Sequence, residues 1–131
     1  FETIREITLS GGQFASGRAA VDVGGAVSEA VALRLNAVYE NSDSYRDFTG
    51  KELFGINPTG AVRLGEATTL RLSYEFFRDR RDVDLGVPSR NGLPFDGDRS
   101  AFFGNPDESN SEFDRHGVVS VLEHDFSDDL T

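Results

Sequence analysis

The chain has 131 residues, of which 37% are hydrophobic and 27% charged, with a formal net charge of −10. It is long enough for one ordinary domain and too apolar for a disordered polymer. The acidic balance excludes a phosphate-gripping nucleic-acid surface and a basic membrane-surface helix. With no cysteine and only two histidines, His116 and His124, the chain has no disulfide framework and no thiolate or all-histidine metal centre.

Six segments alternate in the manner of half-buried strands. Residues 1–10 form the weakest, with Ile7 and Leu9 sharing a face with Arg5 and Ile4 opposite. Residues 18–24 set Val21 and Val23 against Ala20 and Asp22. Residues 31–40 are the clearest: Val31, Leu33, Leu35, Ala37 and Tyr39 point one way, and Ala32, Arg34, Asn36, Val38 and Glu40 the other. A helical stripe of Val27, Ala30, Val31, Leu35 and Val38 competes there, but Arg34 interrupts it. Residues 54–64 gather Phe54, Ile56, Val62 and Leu64 opposite Asn57, Thr59 and Arg63, and Pro58 predicts a bulge or a local break in the ladder. Residues 69–78 set Leu70, Leu72, Tyr74 and Phe76 against Arg71, Ser73 and Glu75. Residues 117–126 are strand-like, with Val118 and Val119 leaving the buried face open.

The connections alternate in length. "GGAVSE" and "GEAT" are short, "NSDSYRDFTGKEL" is longer, and residues 79–115 form a very long loop. Short turns at one end and long loops at the other are what outer-membrane barrels show. Ten residues at about 3.4 Å each, tilted near 45°, rise about 24 Å, which matches an apolar band about 25 Å tall. No apolar run approaches a transmembrane helix, but barrel strands leave no such hydropathy peak. A chain with no methionine that opens on Phe1 is expected to be a processed product or a piece of a longer polypeptide.

The runs "LRLNAVYENSDSYRDF", "GINPTGAVRLGEATTLRLSYEFFRDRRDVDLGVPS", "FFGNPDES" and "VLEHDFSDDLT" resemble, in order, the early barrel of a TonB-dependent siderophore receptor. The resemblance implies an all-β fold: an antiparallel transmembrane β-barrel segment of about six of 22 strands, with residues 1–131 a partial barrel domain lacking the plug and the remaining strands. It implies a receptor in the outer membrane that binds a ferric siderophore and imports it. Membrane lipid, the protein's own plug domain, and TonB (through the N-terminal region) would be its partners. The siderophore carries the iron, so no cofactor of the protein's own is expected. It also implies that "SGGQFASG", "NSDSYRDFTGKEL" and residues 79–115 are external, and that "GGAVSE", "GEAT" and "SDDL" are periplasmic turns. Relatives of this kind also carry cobalamin, haem or carbohydrate.

Within that frame the candidate ligand contacts are Tyr45, Arg46 and Phe48 in the second loop and Arg81, Arg90, Phe95, Arg99, Phe102 and Phe103 in the third. Arginine forks bind anionic oxygens, and aromatic faces stack on catechol rings. The competing role for Phe102 and Phe103 is to pin the loop to the barrel rim, and for Tyr45 and Phe48 to join an interfacial girdle. Arg34, Asn36, Arg71, Ser73 and Glu75 are expected to face the lumen. "DVDLG" and "FDGDRS" lack the spacing of a calcium loop, so no metal site is assigned. The sequence has no nucleophile elbow, P-loop or zinc motif, which points away from an enzyme. The alternative from another class is a soluble all-β ligand-binding module with a long recognition loop.

Overall fold

The computed structural model describes residues 2–127, with the Arg90 side chain outside the described set. Six long strands form one antiparallel sheet: β1 (Ile4–Gly11), β2 (Gly17–Ala26), β3 (Val31–Asp43), β4 (Gly50–Arg63), β5 (Thr68–Asp82) and β8 (Asn110–His124). Each strand pairs with the next in the chain, in the order β1-β2-β3-β4-β5-β8. Two short strands, β6 (Ser89–Arg90) and β7 (Leu93–Pro94), form a separate hairpin inside the third long connection. The fold is all-β, an antiparallel sheet of the kind that makes a barrel segment. The competing helical stripe is overruled: Val27 and Ser28 donate to the Val31 carbonyl (2.8 and 3.1 Å), closing a turn that feeds directly into β3.

The sheet is a single layer. Among the described residues no hydrophobic side chain is buried, so they form no core of the two-layer kind. The two faces differ sharply in chemistry. One carries the row Ile7–Val21–Ala37–Ile56–Phe76–His116 and the row Val31–Val62–Leu70–Leu122 across the strands. The other carries Glu6–Asp22–Asn36–Asn57 and Arg34–Thr59–Ser73. β8, ambiguous from its sequence, puts Val118 and Leu122 on the apolar face and Val119 and Val121 on the polar one. It is apolar on both sides, which is why alternation alone did not orient it.

The apolar face ends at an aromatic belt. Phe54 and Phe76 stand 6.0 Å apart, Phe76 and His116 4.8 Å apart, and the Tyr74 hydroxyl meets His116 Nδ1 at 2.8 Å. Tyr39 pairs with Phe54 in the same row. From Val31 to Tyr39 along β3 is eight residue steps, about 27 Å of strand and about 19–22 Å of height at a barrel's usual tilt. Beyond the belt the same face turns ionic. Arg78 is bidentate to Asp114 (2.7 and 2.6 Å), and Arg80 bonds Glu112 at 2.9 Å.

This ionic extension corrects the expected strand ends. β5 runs to Asp82 and β8 begins at Asn110, so the expected loop of residues 79–115 shrinks to 83–109. β3 and β4 likewise extend, to Asp43 and from Gly50, leaving residues 44–49 as the second loop. Charged cross-strand pairs hold these strand ends, and they carry no apolar alternation. The turns at the other end are residues 27–30 and 64–67; the expected "SDDL" turn falls largely outside the described residues.

Pro58 interrupts the ladder without a bulge. Ile56 pairs with Phe76 and Thr59 with Ser73, so the register continues across a two-residue gap. The Tyr74 carbonyl lies opposite that gap, where proline offers no N–H. Asn57 Nδ2 supplies the donor, at 2.8 Å, and also bonds Ser73 Oγ at 3.0 Å. Asn57→Ala is therefore expected to lower the unfolding free energy in a bilayer by about 1–3 kcal/mol, the cost of an orphaned carbonyl. Reversible urea unfolding in lipid vesicles measures it, and a change within about 0.5 kcal/mol would mean that the side chain is not replacing the missing ladder donor.

Candidate ligand-binding site

The polar face is laced by ion pairs across the strands. Arg34 grips Asp22 with two bonds of 2.8 and 2.5 Å. Asn36, with its amide nitrogen turned toward the same carboxylate, reaches it at 3.2 Å. Arg71 meets Glu123 at 3.0 Å, Glu75 meets Arg115 at 3.3 Å, and Glu40 holds both Arg18 (2.8 Å) and Lys51 (2.5 Å). Ser73 accepts from Asn57. Arg34, Asn36, Arg71, Ser73 and Glu75 thus share the polar face, where each already has a protein partner. These pairs are partly solvent-exposed and individually weak; what they fix is the side-chain geometry of that face.

The structure divides the loop candidates into distinct groups. Arg46 does not present its guanidinium to solvent: it is 7% exposed. Its Nη1 donates to the Ala101 carbonyl (2.7 Å) and its Nη2 to the Tyr45 hydroxyl (3.1 Å), while Nε lies 2.5 Å from Asp84 Oδ2 without an aligned hydrogen bond. A guanidinium so occupied has little left for an incoming anion. Arg81 is likewise engaged, by Asp79 two residues earlier in β5. Tyr45 and Phe48 are exposed, as is Arg99. Phe95 and Phe103 meet edge-to-face at 4.9 Å. The Phe102 ring is half-buried and lies where a Cβ on Gly104 would stand, and the Phe95 ring does the same over Gly97. The structure therefore brings Phe95 and Phe103 together, and it uses Arg46 and Arg81 as internal ties. Arg90 sits on the β6–β7 hairpin, with its side chain outside the described set.

Two features escaped the sequence. The first is the β6–β7 hairpin, whose turn residues Asn91 and Gly92 have φ of 55° and 76°. The Asn-Gly pair is the standard sequence signal for such a turn. The second is the partnership of Arg46 with Asp84 and Ala101, which no spacing rule announces because it joins two loops.

Asp98 shows the local chemistry of the third loop. Its carboxylate accepts from the Ser100 N–H (2.9 Å) and the Ser100 hydroxyl (2.9 Å), which hold its pKa below the usual aspartate range. A depressed carboxyl stabilises the turn above its ordinary pKa and loses that contribution as pH falls through the lowered one. The carbon-13 carboxyl resonance of Asp98 is expected to titrate with a midpoint below the ordinary aspartate value of about 3.9, and Ser100→Ala should move it upward. A midpoint at or above that value would show that the turn does not hold the carboxylate.

No family model matches the chain. Among curated proteins it is similar to the metal-pseudopaline receptor CntO of Pseudomonas aeruginosa, with 26% identity over 95 residues in strain PAO1 and over 91 residues in strain UCBPP-PA14. These matches cover 72% and 70% of this chain and 13% of each relative, so the chain spans a small part of those proteins. Among solved structures, P. aeruginosa FpvA, in a complex with iron and a heterologous pyoverdine, superposes with a TM-score of 0.82 at 21% identity, over 95% of this chain and 17% of that one. The fold is that of a β-barrel segment of a TonB-dependent receptor. The likeness to TonB-dependent siderophore receptors read from the sequence appears again in both comparisons.

Proposed function

We propose that this chain is part of an outer-membrane TonB-dependent receptor that binds and imports a metal–siderophore complex, with its apolar face against lipid and its polar face toward the lumen and a plug domain. Energy would arrive through TonB, acting on a region N-terminal to the barrel. The observation that carries this is the single-layer sheet: among the described residues no hydrophobic side chain is buried, while Ile7, Leu9, Leu33, Leu72, Val118 and Leu122 stand exposed on one face. In a soluble binding module those side chains would need a second layer to cover them. The aromatic belt and the ionic strand ends beyond it suit a bilayer boundary. The CntO relatives are named for metal-pseudopaline and FpvA was seen with ferric pyoverdine; the shared chemistry is a chelated metal, and it supports a receptor in preference to an enzyme.

Two expectations follow from different parts of the molecule. Leu72, half exposed at mid-face, should tolerate arginine poorly: Leu72→Arg is expected to cost about 2–4 kcal/mol of folding free energy in a bilayer. Ser73→Arg, one residue on and facing the other way, should cost far less. Equal effects at both positions would remove the assignment of faces. In the complete polypeptide, replacing Phe95 and Phe103 together by alanine should weaken binding of the complex it transports by about tenfold, or 1.4 kcal/mol. Ferric pyoverdine and metal–pseudopaline are the probes to titrate by fluorescence quenching. Saturable binding of either that is unchanged in the double variant would exclude the aromatic pair from the site, and no binding of any metal chelate would count against the receptor itself.

A further inference from the structure

The outer connections of this sheet are tied to one another through the second loop. Arg46 is the only buried charged side chain among the described residues, and it lies at the end of the molecule farthest from the apolar band. Its partners lie far apart in the third loop: Asp84 just after β5 and Ala101 in the loop's second half. The next residue, Asp47, donates its N–H to the Ser100 carbonyl (2.8 Å) and accepts from the Ser100 hydroxyl (3.2 Å). On the other side, the Asp43 N–H donates to the Phe14 carbonyl of the first loop at 2.9 Å. The Gly50 N–H reaches Asp82 Oδ2 at 3.0 Å.

These cross-links coincide with backbone strain. Phe14 and Ala15 have φ of 57° and 50°, and Phe48 has φ of 56°. That left-handed region is hostile to bulky L-residues. Burial does not compensate, because the Phe14 and Phe48 side chains are 50% and 69% exposed. Both strained phenylalanines sit at a cross-link. The Phe14 carbonyl is the acceptor for Asp43; Phe48 lies between Asp47, held by Ser100, and Thr49, whose hydroxyl donates to the Arg46 carbonyl at 2.8 Å. Strain of this kind persists only where the surroundings impose it.

We propose that Arg46 is the clasp of a conformational device: residues 12–16, 44–49 and 83–109 move as one body, held in a strained form that presents Phe14 and Phe48 to water. Opening the clasp frees the second loop from the third directly, and from the first by way of the short segment from Asp43 to Asp47 that carries both ties. The physical reason is that a buried guanidinium that loses Asp84 leaves its charge unpaired, and one that loses only the Ala101 carbonyl leaves a buried N–H without an acceptor. Its release from Asp84 and Ala101 is therefore close to all-or-none. The device does not depend on what the protein binds, and a failure of the receptor assignment would leave it standing.

Amide hydrogen exchange on the complete polypeptide in lipid tests it. Arg46→Ala should speed exchange at both Asp47 and Asp43 by about tenfold or more, while Leu64, bonded to Thr68 at the opposite end of the sheet, stays within about twofold. Acceleration at Asp47 alone, or at neither, would overturn the idea of one body. A second pair of variants isolates the strain. Phe48→Gly and Phe48→Ala both remove the ring, but only glycine relieves the backbone. Asp47 should exchange about fivefold more slowly in the glycine variant than in the alanine one. Equal or faster exchange with glycine would show that Phe48 is not strained.

Discussion

Everything in this structure follows from an apolar sheet face that none of the described residues covers. An antiparallel ladder satisfies the backbone strand by strand, and five consecutive pairings leave few polar groups exposed within it. A soluble protein would then lay a second layer over Leu33, Leu35, Leu70, Leu72 and Phe76. Among the described residues no such layer exists. In the proposed receptor hydrocarbon would be the solvent of such a face, and it would also demand that the ladder have no unsatisfied groups at that depth. The substitution of Asn57 for the donor that Pro58 lacks is the local sign of that demand. β1 and β8 each have one strand neighbour in the sheet, and a barrel is the arrangement that removes such edges.

The opposite face and the outer ends are governed by water. There the chain uses charge where a soluble domain would use packing: Arg34 with Asp22, Arg71 with Glu123, and Arg78 with Asp114. Pairs of this kind are weak singly, but they fix the side chains of a face that has no core behind it. Arg46 is the exception. Its burial between two loops gives the outer end an anchor that the apolar band cannot supply, because that band stops at Phe54, Phe76 and His116.

Much of the fold was legible because a barrel strand is written in period two. Val31 to Tyr39 and Leu70 to Phe76 alternated cleanly, and the unequal connections put the long third loop at the end of the sheet opposite the two short turns. The strand ends were not legible, since Arg78, Arg80, Glu112 and Asp114 read as loop until their cross-strand partners are known. β8 was ambiguous because Val118 and Val119 are both apolar. At the candidate site the residue types suit ligand contact, but the roles depend on pairings across loops. Nothing in "SYRDF" distinguishes a guanidinium that points at ligand from one that Asp84 and Ala101 enclose. Asn91-Gly92, in contrast, is a turn signal readable from the sequence.

The central claim concerns what touches the apolar side chains, and site-directed spin labelling asks that directly. Labels at Leu35 and Leu70 in the complete polypeptide, reconstituted in bilayers, should be quenched strongly by dissolved oxygen and weakly by a polar nickel chelate, with labels at Asn36 and Ser73 protected from oxygen. Labels at Leu35 and Leu70 shielded from both quenchers would mean that packed protein, and not lipid, covers this face.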